Sequence, residues 1–264
     1  MCGIAGYSLA PHSRLDRTLA AQALLAAIAE RGADAVGYAY TAPETTGPPV
    51  VVKQQTPASK LLERVSVPSG TTELLVHVRE FTKGHPSIEA NNHPVRHGPV
   101  VGVHNGRILN DDELLGAHAC ARAEPRMTVD SEAVFAVAAH SGNDGRAFEV
   151  LEGSMAAAWR DERRPEVVHL ARGVGRPLWL GEGRDGIIFA STEYALEVAE
   201  RFCGPKLRKR ELSDGTLLAL HHGKIVLRQS FKPRAYPEDA ALPARGLEER
   251  DFCLRRLATL ASSI

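Results

Sequence analysis

The chain has 264 residues, of which 44% are hydrophobic, which is enough for one substantial core at the upper end of single-domain size. Lys and Arg together number 32, as do Asp and Glu, and no apolar run approaches the ~20 residues of a bilayer span, so we expect a cytoplasmic protein without a nucleic-acid or membrane partner. Four cysteines show neither paired spacing nor disulfide density, which favours reduced thiols, no metal and no cofactor: Cys2, Cys120, Cys203 and Cys253.

The first predicted elements are a buried strand over 2–9 and a helix over 15–32 that stops at Gly32. Short β-type runs then predict strands at 50–53, 74–78, 99–104, 154–159, 166–171, 177–181, 186–191, 216–221 and 224–230. The last two flank HHG at 221–223 and look like a hairpin. Helical patterns cover 111–117, 130–140 and 192–200, with Asp130 and Thr192 as N-caps of the second and third. Because strands cluster more than they alternate with helices, we expect antiparallel sheets covered by helices.

The end of the chain has a different composition. Pro, Ala, Glu and Arg dominate from Arg234 to Arg250, as in a linker, and FCLRRLATLA at 252–261 predicts a short amphipathic helix. We therefore expect one domain over 2–233, followed by a linker and C-terminal helix over 234–264.

Cys2 raises the first functional question. If Met1 is removed, Cys2 holds both a thiol and a free α-amine, and the amine titrates near ~7.7–8.0, low enough to accept the thiol proton close to neutral pH. A small buried hydrophobe at the start of a strand is the alternative, and MCG alone favours it.

Other segments follow Cys2 in a specific order: RGADAVG at 31–37, HVREFTKG at 77–84, NNHP at 91–94, VHNGRILN at 103–110, VDSE at 129–132, and then LEGSMAAAW, LARGVGRPLWLG and FASTEYAL. Together they resemble the class II glutamine amidotransferases, whose glutaminase domain is an N-terminal-nucleophile hydrolase. The set looks closest to the glutaminase half of glucosamine-6-phosphate synthase and covers roughly 2–230. The resemblance implies an α+β fold, a four-layer αββα sandwich with Cys2 as the nucleophile.

HNG at 104–106 follows a β-type run, so its Asn and Gly are expected at a strand-to-loop transition. The resemblance implies that the Asn105 side chain and the Gly106 amide form the oxyanion hole. On HNG alone, a β-turn is favoured, since N-G is the strongest short turn signal.

Substrate binding is also implied by the resemblance. Arg79, a rigid two-pronged donor at a strand end, matches the arginine that binds the α-carboxylate of glutamine. Asp130 matches the aspartate that binds its α-ammonium, and the backbone of Thr82 matches another substrate contact. Glu80, Phe81 and Lys83 depart from the usual pattern of this loop.

The remaining candidates have supporting roles. His93 is expected to order the loop near the active site, because an N-terminal amine base needs no histidine and no metal-binding spacing occurs. Arg31 and Asp34 are candidates for a shell behind the catalytic residues, with Asp34 satisfying backbone amides in a tight turn.

The sequence therefore predicts a stand-alone glutaminase subunit that hydrolyses glutamine and passes ammonia to a separate synthetase partner. Two alternatives stay open: a γ-glutamyl amidase or hydrolase that acts on a conjugate, and a catalytically silent glutamine-sensing or assembly subunit.

Overall fold

A computed structural model describes residues 2–43, 47–117, 121–142, 144–234 and 246–262. The strands, in chain order, are β1 (Gly3–Leu9), β2 (Ala35–Tyr40), β3 (Val50–Gln54), β4 (Glu73–Arg79), β5 (Val95–His97), β6 (Val100–Ile108), β7 (Gly153–Asp161), β8 (Arg164–Arg172), β9 (Trp179–Gly183), β10 (Gly186–Ala190), β11 (Arg208–Glu211), β12 (Thr216–His221) and β13 (Lys224–Ser230). The α-helices are α1 (Arg17–Ile28), α2 (Ala58–Leu61), α3 (Asp111–Ala117), α4 (Ser131–Ser141), α5 (Glu193–Cys203) and α6 (Leu247–Ala261).

Within the described residues, these strands form two antiparallel sheets. The first has seven strands in the order β11-β9-β10-β1-β4-β2-β3, and the second has six in the order β13-β12-β8-β7-β6-β5. β1 lies at the centre of the first sheet, between β4 and β10. The start of the chain is thereby held on both sides by backbone pairing.

Three apolar layers separate four layers of secondary structure. One core lies between the seven-stranded sheet and helices α1, α5 and α6, and a second lies between the six-stranded sheet and α4. The third core lies between the two sheets and includes Ile4, Leu75 and Val103. The predicted four-layer αββα sandwich is confirmed.

Helix α1 is buried on almost every side because α5, α6 and the seven-stranded sheet all pack against it. Its Asp16 side chain accepts a hydrogen bond from the Leu19 amide at 2.8 Å and caps the first turn. Helix α6 contributes Cys253 and Leu257 to the same core and begins five residues before the predicted start at 252. Part of the predicted linker, residues 235–245, lies outside the described residues, and the domain boundary at 233 stays a prediction. In the part of the chain that the structure describes, every helix is too short or too polar to cross a bilayer.

Candidate active site

Cys2 immediately precedes β1, at the end of the sheet where β4 finishes. The β1–β4 register pairs Gly3 with Val78, so Cys2 lies beside the last residues of β4. Its thiol donates to the Glu80 carbonyl at 3.3 Å, and its own carbonyl accepts from Arg31 Nε at 3.1 Å. Burial raises the pKa of the Cys2 thiol, against the opposing effect of nearby Arg79. The thiol is therefore protonated at rest and needs a base before it can attack.

The segment before β2 holds the loop that follows β4. The Asp34 amide donates to the Arg79 carbonyl at 2.9 Å, and the Asp34 carboxylate accepts from the Phe81 amide at 2.8 Å. A side chain at Gly32 would place its Cβ 2.3 Å from the carbonyl carbon of Arg79, so only glycine allows this approach. Arg31 thus contacts the backbone of Cys2, whereas Asp34 shapes the loop beside it.

Arg79 is buried and its guanidinium is bonded within the same loop. It donates to Asn92 Oδ1 at 2.7 Å and to the carbonyls of Lys83, at 2.8 Å, and Gly84. Burial lowers the pKa of Arg79, whereas the Cys2 and Asp130 charges oppose that shift. Thr82 is exposed between these anchors. Arg79 therefore organises the 80–84 loop around the thiol.

Asn105 and Gly106 lie inside β6, where they pair with Ala156 and Met155 of β7. Both the predicted strand end at 104 and the alternative N-G turn are wrong, because β6 continues to Ile108. Gly106 has a φ of 153°, and a Cβ there would lie 2.0 Å from the Ser154 carbonyl oxygen. Because residue 106 is glycine, β6 continues through this close contact with β7, where a turn was expected.

The Asn105 side chain is 1% exposed, and among the described residues neither its Nδ2 nor its Oδ1 has a hydrogen-bond partner. Strand alternation puts Asn105 on the same face of β6 as Val103, which lies in the core between the sheets. Cys2 has the same parity as Ile4, another member of that core. Since β1 and β6 are in contact, the thiol and the amide face the same inter-sheet space at one end of the sandwich. Buried amides are rarely left unpaired, so this one is available to a ligand.

Three buried histidines, His77, His93 and His104, lie near this end of the sandwich. His77 Nε2 lies 3.1 Å from the His104 carbonyl oxygen, and the His93 ring stacks on His77 with centroids 4.1 Å apart. Burial lowers the pKa of His77 to about 3, that of His104 to about 4, and that of His93 well below its usual value. These rings are therefore neutral at physiological pH. His93 packs against the strand that carries Arg79.

Asp130 precedes α4, but its carboxylate does not cap the helix. It accepts instead from the Ile108 amide at the end of β6, at 2.7 Å, so Asp130 occupies the predicted N-cap position without capping the helix through its side chain. Burial raises the pKa of Asp130 to about 6, against the opposing effect of the Ile108 hydrogen bond. Its charge acts on both Cys2 and Arg79.

Lys83 begins an ion-pair network that the sequence did not predict. Its ammonium lies 2.7 Å from Asp111 and 2.9 Å from Asp112, at the start of α3. Arg122 binds both aspartates and also Glu132 of α4. The network ties the 80–84 loop to the second sheet's helices. Its sequence signals were the unusual lysine in the loop and the paired aspartates that begin α3.

A family model and several solved structures resemble parts of this chain. Residues 82–198 match a family model described as a glutamine amidotransferase domain. That segment contains Thr82, His93, Asn105, Gly106 and Asp130, and it begins after Cys2, Arg31, Asp34 and Arg79. A search of curated proteins finds no match.

Solved structures share the fold. A glutamine phosphoribosylpyrophosphate amidotransferase from B. subtilis superposes with a TM-score of 0.67 at 17% identity, over 87% of this chain and 49% of that one. A structure described as the allosteric regulatory enzyme of purine biosynthesis gives 0.66 at 19% identity, over 87% and 49%. A glutamine aminotransferase class-II domain protein from Silicibacter pomeroyi gives 0.55 at 19% identity, over 88% of this chain and 100% of that one. The chain spans about half the length of the first two relatives. The predicted likeness to glucosamine-6-phosphate synthase in particular stays a prediction.

Proposed function

We propose that this chain is a class II glutaminase in which Cys2, after removal of Met1, is the nucleophile. The observation that carries the proposal is the Asn105 amide, which is buried, unpartnered and on the face of β6 that is turned towards β1. An unsatisfied buried amide costs stability on the order of 1–3 kcal/mol, and a catalytic role explains why the fold retains it.

In the proposed reaction, the α-amine of Cys2 accepts the thiol proton and the thiolate attacks the side-chain carbonyl carbon of glutamine. The oxyanion accepts hydrogen bonds from Asn105 Nδ2 and the Gly106 amide. The protonated amine then gives its proton to the departing ammonia as the C–N bond breaks. Water, deprotonated by the same amine, hydrolyses the γ-glutamyl thioester to glutamate and regenerates the thiol.

Opposite charges would select a free amino acid. Asp130 supplies a carboxylate for the α-ammonium of glutamine, and Arg79 supplies positive potential for the α-carboxylate. Thr82 is exposed in the 80–84 loop that Arg79 holds, and its backbone would contact the substrate. Arg31, Asp34 and His93 would hold the nucleophile and this loop without touching substrate.

Ammonia released into water is protonated and lost, so the glutaminase would serve an ammonia-accepting synthetase. We propose that here the acceptor is a separate protein and that both act in the cytoplasm.

Two cysteine variants test the nucleophile. Cys2→Ala should abolish glutamine hydrolysis and covalent labelling by 6-diazo-5-oxo-norleucine while the fold is kept. Cys203→Ala is the matched control, because burial raises the pKa of Cys203 to about 12 and leaves that thiol unreactive. Near-normal turnover by Cys2→Ala would refute the mechanism. Intact-mass measurement must also show that Met1 has been removed, since a retained methionine leaves Cys2 without its amine and favours the silent, glutamine-sensing alternative.

The hydrogen bonds of Arg79 favour a second candidate. Because its guanidinium is already bonded to two loop carbonyls and Asn92, its capacity to bind a free α-carboxylate is partly used. A γ-glutamyl conjugate, bound chiefly through its leaving group, depends less on that contact. Turnover of glutamine and of a γ-glutamyl amine conjugate should be compared, and a strong preference for the conjugate would replace the glutaminase assignment.

A further inference from the structure

A second cluster of chemically active side chains lies far from Cys2. Glu166 is on β8, His221 is the last residue of β12, and His222 is in the turn between β12 and β13. This turn contacts the residues where β1 ends, because the Gly223 amide donates to Ser8 Oγ at 3.1 Å. Since Cys2 lies at the other end of β1, about 20 Å away at ~3.3 Å per residue, the cluster is separate from the proposed catalytic site.

The donor atoms of this cluster have the spacing of metal ligands. Glu166 Oε2 lies 3.3 Å from His221 Nε2 and 3.5 Å from His222 Nε2, and one donor atom from each residue fits within 4.8 Å of the others. Two ligands at ~2.0–2.1 Å from a tetrahedral zinc ion are about 3.3 Å apart. The distances from the Glu166 carboxylate to the two imidazole Nε2 atoms therefore match those between ligands of one Zn²⁺ ion.

The hairpin turn directs the imidazoles. His222 has a φ of 48° and Gly223 a φ of 76°, both in the left-handed region that a tight two-residue hairpin requires. A Cβ on Gly223 would lie 2.7 Å from Gly186 Cα, so the tip is packed closely against the first sheet. His222 Nδ1 is buried, which leaves Nε2 as the ring nitrogen turned towards Glu166. Asparagine or glycine is the usual residue at such a position, and histidine there adds a metal donor.

The cluster borders a cavity that leaves space for further ligands. Its volume is about 550 Å³, and Glu166, His222, Glu73 and Thr41 are among the residues that line it. Glu73 is paired with Arg160 at 3.5 Å, so its charge is already partly balanced. The carboxylate of Glu166 is 61% exposed, and an ion can reach it from solvent.

We propose that Glu166, His221 and His222 form a Zn²⁺ site with an open coordination position towards this cavity. Two imidazoles and one carboxylate are a donor set that suits zinc, and three protein ligands leave the fourth position for water or a small anion. The sequence did not indicate this site, because its carboxylate is separated from the two adjacent histidines by more than 50 residues.

Zinc binding by the full chain tests the proposal. The protein is stripped with a chelator and titrated with Zn²⁺ alone by calorimetry, in parallel with Co²⁺ followed by absorption. Co²⁺ distinguishes nitrogen and oxygen ligands from cysteine thiolates, which add an intense charge-transfer band. Glu166→Gln and His222→Asn are the test variants, and the second keeps the hairpin because Asn-Gly is a favoured pair in this turn. His140→Gln, an exposed histidine on α4, is the matched control.

We expect one Zn²⁺ per chain in the wild type and in the control, with no thiolate band for Co²⁺. Both test variants should bind at least about tenfold more weakly, and Zn²⁺ should raise the melting temperature of the wild type more than theirs. The proposal is overturned if the wild type binds no Zn²⁺, if Co²⁺ shows thiolate ligation, or if all variants bind equally. In those cases the three groups form only an ion-pair cluster. Glutaminase activity does not enter these readouts, so the two proposals stand or fall separately.

Discussion

Replacement of Asn105 by alanine should separate catalysis from stability. Asn105 is 1% exposed, and its side-chain amide makes no hydrogen bond with the described residues. The substitution therefore breaks no hydrogen bond of that side chain within the described structure. It also removes two buried polar atoms that are unpaired, each a cost on the order of 1–3 kcal/mol, which offsets the packing lost with the side chain. We expect the free energy of unfolding to change by less than about 1 kcal/mol or to rise. The loss of an oxyanion donor should instead lower kcat by about 10²–10³, or ~2.7–4 kcal/mol in the barrier.

A second buried asparagine, whose side chain is fully paired, provides the comparison. Asn91 Oδ1 accepts from the amides of Thr128, at 2.7 Å, and Val129, at 3.0 Å, and its Nδ2 donates to the His85 carbonyl. Asn91→Ala should therefore lower the free energy of unfolding by roughly 1–3 kcal/mol. Urea unfolding and steady-state glutamine hydrolysis measure both effects on both variants. The reasoning fails if Asn105→Ala keeps wild-type kcat, or if it is destabilised as much as Asn91→Ala.

Three further predictions concern the loop, the strand and the charge at the site. Burial raises the pKa of Asp130 to about 6, so the carboxylate that we propose binds the α-ammonium becomes protonated as the pH falls through that value. Calorimetry on the Cys2→Ala background should therefore show weaker glutamine binding below pH ~6, and Asp130→Asn should bind weakly at every pH. If both proteins show the same pH profile, Asp130 does not bind the ammonium. Gly106→Ala puts a Cβ 2.0 Å from a carbonyl of β7 and should cost about 1–3 kcal/mol in urea unfolding, whereas Gly116→Ala in α3, which meets nothing within 4 Å, should be neutral or stabilising by up to ~1 kcal/mol. Equal stability of these two variants would contradict the close approach in β6. Lys83→Met removes the ion pairs to α3 and should raise the KM for glutamine several-fold with little loss of stability, because the lysine is partly exposed; an unchanged KM would show that the network does not order the loop.

Much of the architecture followed from local patterns. The strands with continuous apolar runs were predicted, as were the hairpin at 221–223 and the N-terminus of α5, where Thr192 Oγ accepts from the Ala195 amide at 3.3 Å. Burial on both faces demands apolar residues throughout a central strand, and a capping residue acts within one turn of its helix. Both signals are therefore visible in a short window of sequence.

Other elements depend on their neighbours. β2 is absent from the strands that the sequence predicts, yet it pairs with both β3 and β4. β11, with the sequence RKRE, has no apolar pattern and exists because it adds to the edge of β9. A strand of this kind is specified by hydrogen bonds to the backbone of its partner strand. Residue propensities within the segment carry no information about that partner.

The same division holds at the functional sites. The amino-acid sequence by itself indicated Cys2, Arg79, Asn105 and Asp130, because their order along the chain resembles that of a known family. Only the tertiary structure decided which of these groups are already hydrogen-bonded. The Arg79 guanidinium is bonded to its own loop and the Asp130 carboxylate to the end of β6. The side-chain amide of Asn105 has no partner among the described residues. Only the tertiary structure, too, brought Glu166 to the histidines of a distant hairpin. Hydrogen bonds and ligand sets are satisfied in three dimensions, by groups that the chain brings together only when the sheets stack.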